Sequence, residues 1–133
     1  MKLKENGMNN YLLDTDILIN HLRKYQKIEA VIEDLDLPQN PKLYHISVIT
    51  KIEVLSGKSM SDAKIKKEAK LLLAQFKLLQ INSSVTELAG QLRREHRLTI
   101  ADAIIAATAI SKDLILLSCN TKHFKIISDL RLI

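Results

Sequence analysis

By type and spacing, the residues best placed to do chemistry are the carboxylates Asp14, Glu53 and Asp102. Asp14 closes the apolar run Tyr11-Leu12-Leu13, and Asp16 follows two residues on, ahead of Ile17-Leu18-Ile19. Helix capping accounts well for Asp16 and less well for Asp14. Glu53 lies in Val48-Ile49-Thr50-Lys51-Ile52-Glu53-Val54-Leu55, four residues after Ile49, so it shares the margin of an apolar helical stripe. A solvated glutamate near Lys51 is its plainer role. Asp102 sits in Ile-Ala-Asp-Ala-Ile-Ile-Ala-Ala-Thr-Ala-Ile, a segment apolar almost all round. Such a helix is buried on most sides, and an unpaired carboxylate there would cost on the order of several kcal/mol or be neutralised. Thr99 and Asp102 also have capping-box spacing, and an aspartate in the first turn complements the helix dipole. Capping and a functional role are compatible, because the first turn of a buried helix can open onto a cleft.

Taken together the three acids say more. Two carboxylates about 4 Å apart repel by roughly 4 kcal/mol at an effective dielectric near 20. A fold gathers them only where a divalent cation compensates. Hard carboxylate oxygens suit Mg²⁺ and Mn²⁺, and Mg²⁺ keeps several waters and borrows phosphate oxygens from its substrate. Such a site activates water and stabilises charge at a phosphoryl centre. The spacing alone does not establish that the three converge.

Convergence is a demand on the elements between them. Residues 11–14 read as a first strand and 16–24 as a helix. Ile28, Val31, Ile32 and Leu35 have helical spacing and stop before Leu37-Pro38-Gln39-Asn40-Pro41, a turn. Residues 45–47 read as a second strand, with Ser47 capping a helix to about Leu55 that Gly57 closes. Residues 61–75 read as a long helix with a lysine-rich outer face, and 76–81 as a third strand. Ser84-Val-Thr-Glu87 is a capping box that opens a helix to about Arg94. The helix 100–111 follows, then strand 114–117, with a fifth strand in the last few residues. Strands alternating with helices predict an α/β fold with a mostly parallel sheet. Sites in such sheets gather at the carboxyl ends of the strands, where Asp14 lies.

Composition narrows the setting. The 133 residues fit one domain, with residues 1–8 a peripheral extension. The 47% apolar content excludes a disordered chain. The single cysteine, Cys119, forms no internal disulfide and no Cys-based zinc site, which points to a reducing, cytoplasmic setting. No apolar run approaches the roughly 20 residues of a membrane helix. A formal charge of +5 favours a polyanionic partner without identifying one.

Four segments resemble the PIN-domain nucleases, and among them the VapC-type toxins of bacterial toxin–antitoxin pairs. They are residues 13–19 around Asp14, 47–57 around Glu53, 99–109 around Asp102, and Leu117-Ser118-Cys119-Asn120-Thr121-Lys122-His123-Phe124. They occur in the family's order and span nearly the whole chain. The resemblance implies a three-layer α/β/α sandwich and Mg²⁺- or Mn²⁺-dependent endoribonuclease cleavage. It makes Asp14, Glu53 and Asp102 metal ligands or base-positioning groups, with Thr15 or Ser118 hydrogen-bonding the cluster. It also implies a protein antitoxin over the cleft and a homodimer. The fourth segment departs from the fullest pattern. Asn120 stands in a turn where many relatives carry an aspartate, so it offers a carbonyl oxygen and no charge, which favours one metal, or a second that arrives with substrate. His123 reads as an exposed turn residue. Lys51, Lys122 and Lys125 are candidate phosphate contacts near the cleft, with Arg93, Arg94 and Arg97 further off.

Two other readings use the same residues. An inactive RNA- or protein-binding module would keep the fold without the chemistry. A receiver-like signalling domain also places aspartates at strand ends, but it needs a late-strand lysine and a mid-chain phosphoacceptor, and it leaves Glu53 and Asp102 without a role.

Overall fold

In the computed structural model, residues 9–22 and 28–133 are described. Residues 1–8 and the Arg23-Lys24 end of the first helix lie outside them. The elements run β1 (Tyr11–Leu13), α1 (Thr15–Leu22), α2 (Ile28–Asp34), β2 (Tyr44–Ser47), α3 (Val48–Leu55), α4 (Ala63–Leu73), β3 (Lys77–Leu79), α5 (Ser83–His96), α6 (Ile100–Ser111), β4 (Ile115–Leu117) and α7 (Thr121–Phe124).

The four strands form one parallel sheet in the order β3-β2-β1-β4. Their side chains alternate between two cores, as the twofold period of a strand requires. Tyr11, Leu13, Ile115 and Leu117 join the core that packs under α1 to α4. Leu12, Leu114 and Leu116 join the core under α5, α6 and α7. The result is the α/β fold with a parallel sheet that the strand–helix alternation predicts, in the three-layer form that the resemblance implies. From β1 the chain moves outward to β2 and β3, then returns past β1 to β4. The strand order therefore reverses beside β1, and a crevice is expected beyond the carboxyl ends there.

Side-chain caps fix where the helices start. Ser47 Oγ accepts from the Ile49 N–H at 3.1 Å, and Thr99 Oγ1 from the Asp102 N–H at 3.1 Å. Asp62 accepts from the N–H groups of Lys64 and Ile65. The Ser84 capping box does not form. Asn82 accepts from the Val85 N–H at 2.9 Å instead, and α5 starts two residues earlier. Asparagine caps at least as well as serine, and this start buries Val85 completely.

Two strands differ from expectation. β3 covers only Lys77–Leu79, because it pairs on one side and carries an exposed lysine on an outer edge. The chain end adds a single parallel bridge, Leu116 to Leu132, rather than a fifth strand.

Phe124 is fully buried in the second core and ties α7 to the sheet. Phe124→Ala should cost about 3 to 5 kcal/mol of unfolding free energy, the usual range for emptying a buried aromatic site. Urea denaturation checks this. A loss under about 1 kcal/mol would show that α7 is not anchored through this ring.

Candidate active site

Asp14 is the first residue beyond β1. Its backbone N–H donates to the Leu117 carbonyl at 2.9 Å, carrying the β1–β4 ladder past the last paired residue. Its carboxylate is only 7% exposed and is held at both oxygens. Oδ1 accepts from the Thr15 N–H at 2.8 Å, and Oδ2 accepts from the Ser118 hydroxyl at 2.7 Å. Burial pushes this carboxyl up to about 6 despite the opposing bond from Ser118. The negative charges of Asp16 and, more weakly, Asp102 push it the same way.

Glu53 reaches the edge from α3. The Thr15 hydroxyl donates to its Oε1 at 2.7 Å and lies 3.1 Å from the Thr50 hydroxyl. Thr15 therefore fixes two acids, Asp14 through its N–H and Glu53 through its O–H. Asp102 occupies the first turn of α6, half-buried, with its N–H capped by Thr99. Asp16 stands on the rim, where its Oδ1 accepts from the Cys119 N–H at 3.3 Å.

The Asn120 N–H donates to Ser118 Oγ at 2.9 Å, which extends the network from Asp14. Its Nδ2 lies 2.7 Å from His123 Nδ1. An amide nitrogen only donates, so the imidazole nitrogen accepts and the Asn120 carbonyl oxygen is the end with coordinating chemistry. His123 is exposed, as the sequence predicts, and its Nδ1 is 3.8 Å from Asp102 Oδ2. Burial and the nearby aspartates push the Cys119 thiol up, so it is no thiolate nucleophile at neutral pH.

The sequence missed two residues here. Thr50 is completely buried beside Thr15, and its only signal was a polar residue within an apolar helix. Arg97, set further from the cleft by its position in the chain, lines a crevice together with Asp102 and Lys122. Its backbone is left-handed at φ 54°, a turn that no glycine announces.

Among the described residues, no three His, Cys, Asp or Glu side chains form a preassembled metal cage. Nor does a lysine or arginine among them pair with Asp14, Glu53 or Asp102. The site is thus a set of hard oxygens with uncompensated negative charge. That donor set fits Mg²⁺, which takes one or two carboxylates directly and fills its octahedron with waters and substrate oxygens.

The model of the PIN domain family matches residues 11–130. The chain belongs to the PIN domain family. It is 31% identical over 125 residues to Ribonuclease VapC10 of Mycobacterium tuberculosis, a match that covers 90% of each chain. A toxin-antitoxin complex from Klebsiella pneumoniae contains a chain 29% identical to it, with a TM-score of 0.74 over 93% of this chain and 96% of that one. The DNA-bound VapBC of Salmonella typhimurium matches at 24% identity, covering 95% of this chain and 98% of that one, with a TM-score of 0.81, and supports the fold. The PIN-like sandwich and the VapC resemblance read from four sequence segments both agree with these matches.

The Asp14 carboxyl has a consequence for stability. Its folded value lies above the ordinary 3.8, so its contribution is complete below about pH 4 and is lost as pH rises through about 6. Asparagine is neutral throughout. In chelator at pH 7, Asp14→Asn should unfold with up to about 3 kcal/mol more free energy than the parent, and near pH 4 the two should coincide. Urea melts at the two pH values measure this. Equal stability at both would mean that Asp14 is not held in a desolvated, acid-rich setting.

Proposed function

We propose that this chain is a divalent-metal-dependent endoribonuclease, and that it acts as the toxin of a toxin–antitoxin pair. The observation that carries the reading is the network in which Thr15 and Ser118 hold Asp14 and Glu53 at the switch point of the sheet, with Asp102 within electrostatic reach. The relatives named as VapC ribonucleases support the reaction class.

Asp14, Glu53 and Asp102 would hold Mg²⁺ or Mn²⁺, with the Asn120 carbonyl oxygen as a further ligand. A cation bound there supplies Lewis-acid stabilisation to the phosphoryl group and activates water. The chain's own residues prepare the place. Ser118 and the Thr15 N–H aim the two oxygens of Asp14, and the Thr15 hydroxyl sets the rotamer of Glu53. These bonds favour the ionised acids that a cation needs, against the burial that opposes ionisation.

A groove of about 620 Å³ supports a protein partner. Ile19, Leu22, Val54, Met60 and Ile65 line it, with Glu53 at its side. An amphipathic helix fits such a groove, and a basic side chain from it would meet Glu53. We propose an antitoxin segment as that partner, since related chains occur in toxin–antitoxin complexes; a homodimer rests on the family resemblance alone.

Cleavage of RNA should stop in chelator and return with Mn²⁺, and Asp14→Asn should abolish it. Thr15→Val keeps the shape and removes the hydroxyl that holds Glu53. It should weaken Mn²⁺ binding about 10- to 100-fold, the usual effect of losing a residue that orients a ligand, with little change in melting temperature. Calorimetric Mn²⁺ titration reads this directly. Undiminished cleavage by pure Asp14→Asn protein would sink the proposed site.

A further inference from the structure

A second depression adjoins the acidic cluster and shares Asp102 with it. It has a volume of about 210 Å³, with Arg97, Lys122 and His123 on its walls and Leu98 and Ile126 beneath. It is built at a corner of the chain. α5 ends at His96, Arg97 turns the backbone in a left-handed conformation, Leu98 is buried, and Thr99 caps α6. The Arg93 guanidinium donates to the Leu98 carbonyl at 3.1 Å and braces the turn. A glycine would occupy this C-terminal position with less strain. The arginine keeps a guanidinium at the mouth of the crevice.

The opposite wall comes from α7, which brings Lys122 and His123. The lining thus brings together the cations Arg97 and Lys122 from distant segments, the Asp102 carboxylate, and the apolar Leu98 and Ile126. Ile126 is 53% exposed despite its size. The tyrosines and phenylalanines among the described residues, Tyr11, Tyr44, Phe76 and Phe124, are all buried. They offer no platform for a base, which leaves the apolar surface of Leu98 and Ile126 and the exposed His123 imidazole beside it.

Resting on the ribonuclease reading, we propose that this crevice holds the nucleotide next to the scissile phosphate. Its phosphate lies on Arg97 and Lys122, and its base covers Leu98 and Ile126. The shared wall at Asp102 sets the distance: a strand seated here presents its neighbouring phosphodiester to the acidic cluster. Arginine and lysine suit the backbone, the part of RNA that gives affinity without sequence information, and the apolar floor accepts any base.

Binding of a short fluorescent single-stranded RNA, followed by anisotropy across a salt series, tests the subsite. The measurements use an Asp14→Asn background, so that the probe survives. Arg97→Gly removes the guanidinium and suits the left-handed turn, so its melting temperature should hold. Lys122→Ser removes the other cation from an exposed position. Each should weaken binding on the order of tenfold and lower the slope of log affinity against log salt by about 0.7. Lys112→Ser, at the far end of α6, should change neither. In the cleaving chain, Arg97→Gly and Lys122→Ser should raise KM and leave kcat nearly unchanged. If both variants bind with parental affinity and slope, the subsite is wrong, whether or not the chain cleaves RNA. If they weaken binding but the wild-type chain never cleaves, the subsite stands and the ribonuclease reading fails. A parent that binds no RNA overturns both.

Discussion

The register between β1 and β4 governs the site. Leu13 pairs with Leu117, and the next residue on each strand is a polar side chain buried at the sheet's edge, Asp14 on one and Ser118 on the other. The pairing sets their hydrogen bond at 2.7 Å although they are 104 residues apart in the chain. Successive side chains on a strand face opposite ways, so a slip of one residue would send Asp14 into the layer under α1 to α4, where Leu13 packs. It would also expose Leu13 and Leu117 to the wrong core. The hydrophobic alternation that specifies the sandwich therefore also brings the acid to this edge, where Ser118 and the Thr15 N–H aim its oxygens.

Electrostatics works against this arrangement in the metal-free chain. Asp14 is desolvated and faces the charge of Asp16 and Asp102. Its two hydrogen bonds only partly offset that cost. The surrounding structure carries the strain through well-packed neighbours: Leu12, Leu13, Ile115 and Leu116 are all nearly inaccessible. A rigid sheet thus holds a local arrangement that would be unfavourable by itself, and a cation would reverse the balance.

Much of this was legible in the sequence, because the signals were local. The apolar run ending at Asp14, the Thr99 cap before Asp102 and the Ser47 cap before the Glu53 helix each need only a few adjacent residues. Three of the four strands lie within a residue of where they were expected. The fourth, β3, is shorter than the sequence predicts because its termination depends on lacking a partner, which no local pattern reports. Asn82 displaced the Ser84 box because the choice between two good caps is made by the burial of Val85. A left-handed arginine is rare, so the sequence pattern continues the helix or leaves a loop there and sets Arg97 further from the cleft than it lies. Thr50 drew no notice because its partner, Thr15, is 35 residues away.

The charges are sorted by element rather than mixed. Three acids at the site follow strand ends or sit in first turns, Asp14 after β1, Asp16 in α1 and Asp102 in α6, whereas Glu53 comes from the second half of α3. Arg93, Arg94 and His96 fall in the last turn of α5, and Lys122 and His123 in the last turn of α7. Helix dipoles favour both placements, anions at N-termini and cations at C-termini. In a parallel α/β sheet, helices begin just after the carboxyl ends of the strands, so first turns supply acids at that edge. A helix whose last turn also lies there must belong to a corner, as α5 does where it turns into α6. The corner at Arg97 lets a basic helix end stand beside an acidic helix start without crossing the sheet. A polyanion held on one can present its neighbouring phosphate to the other.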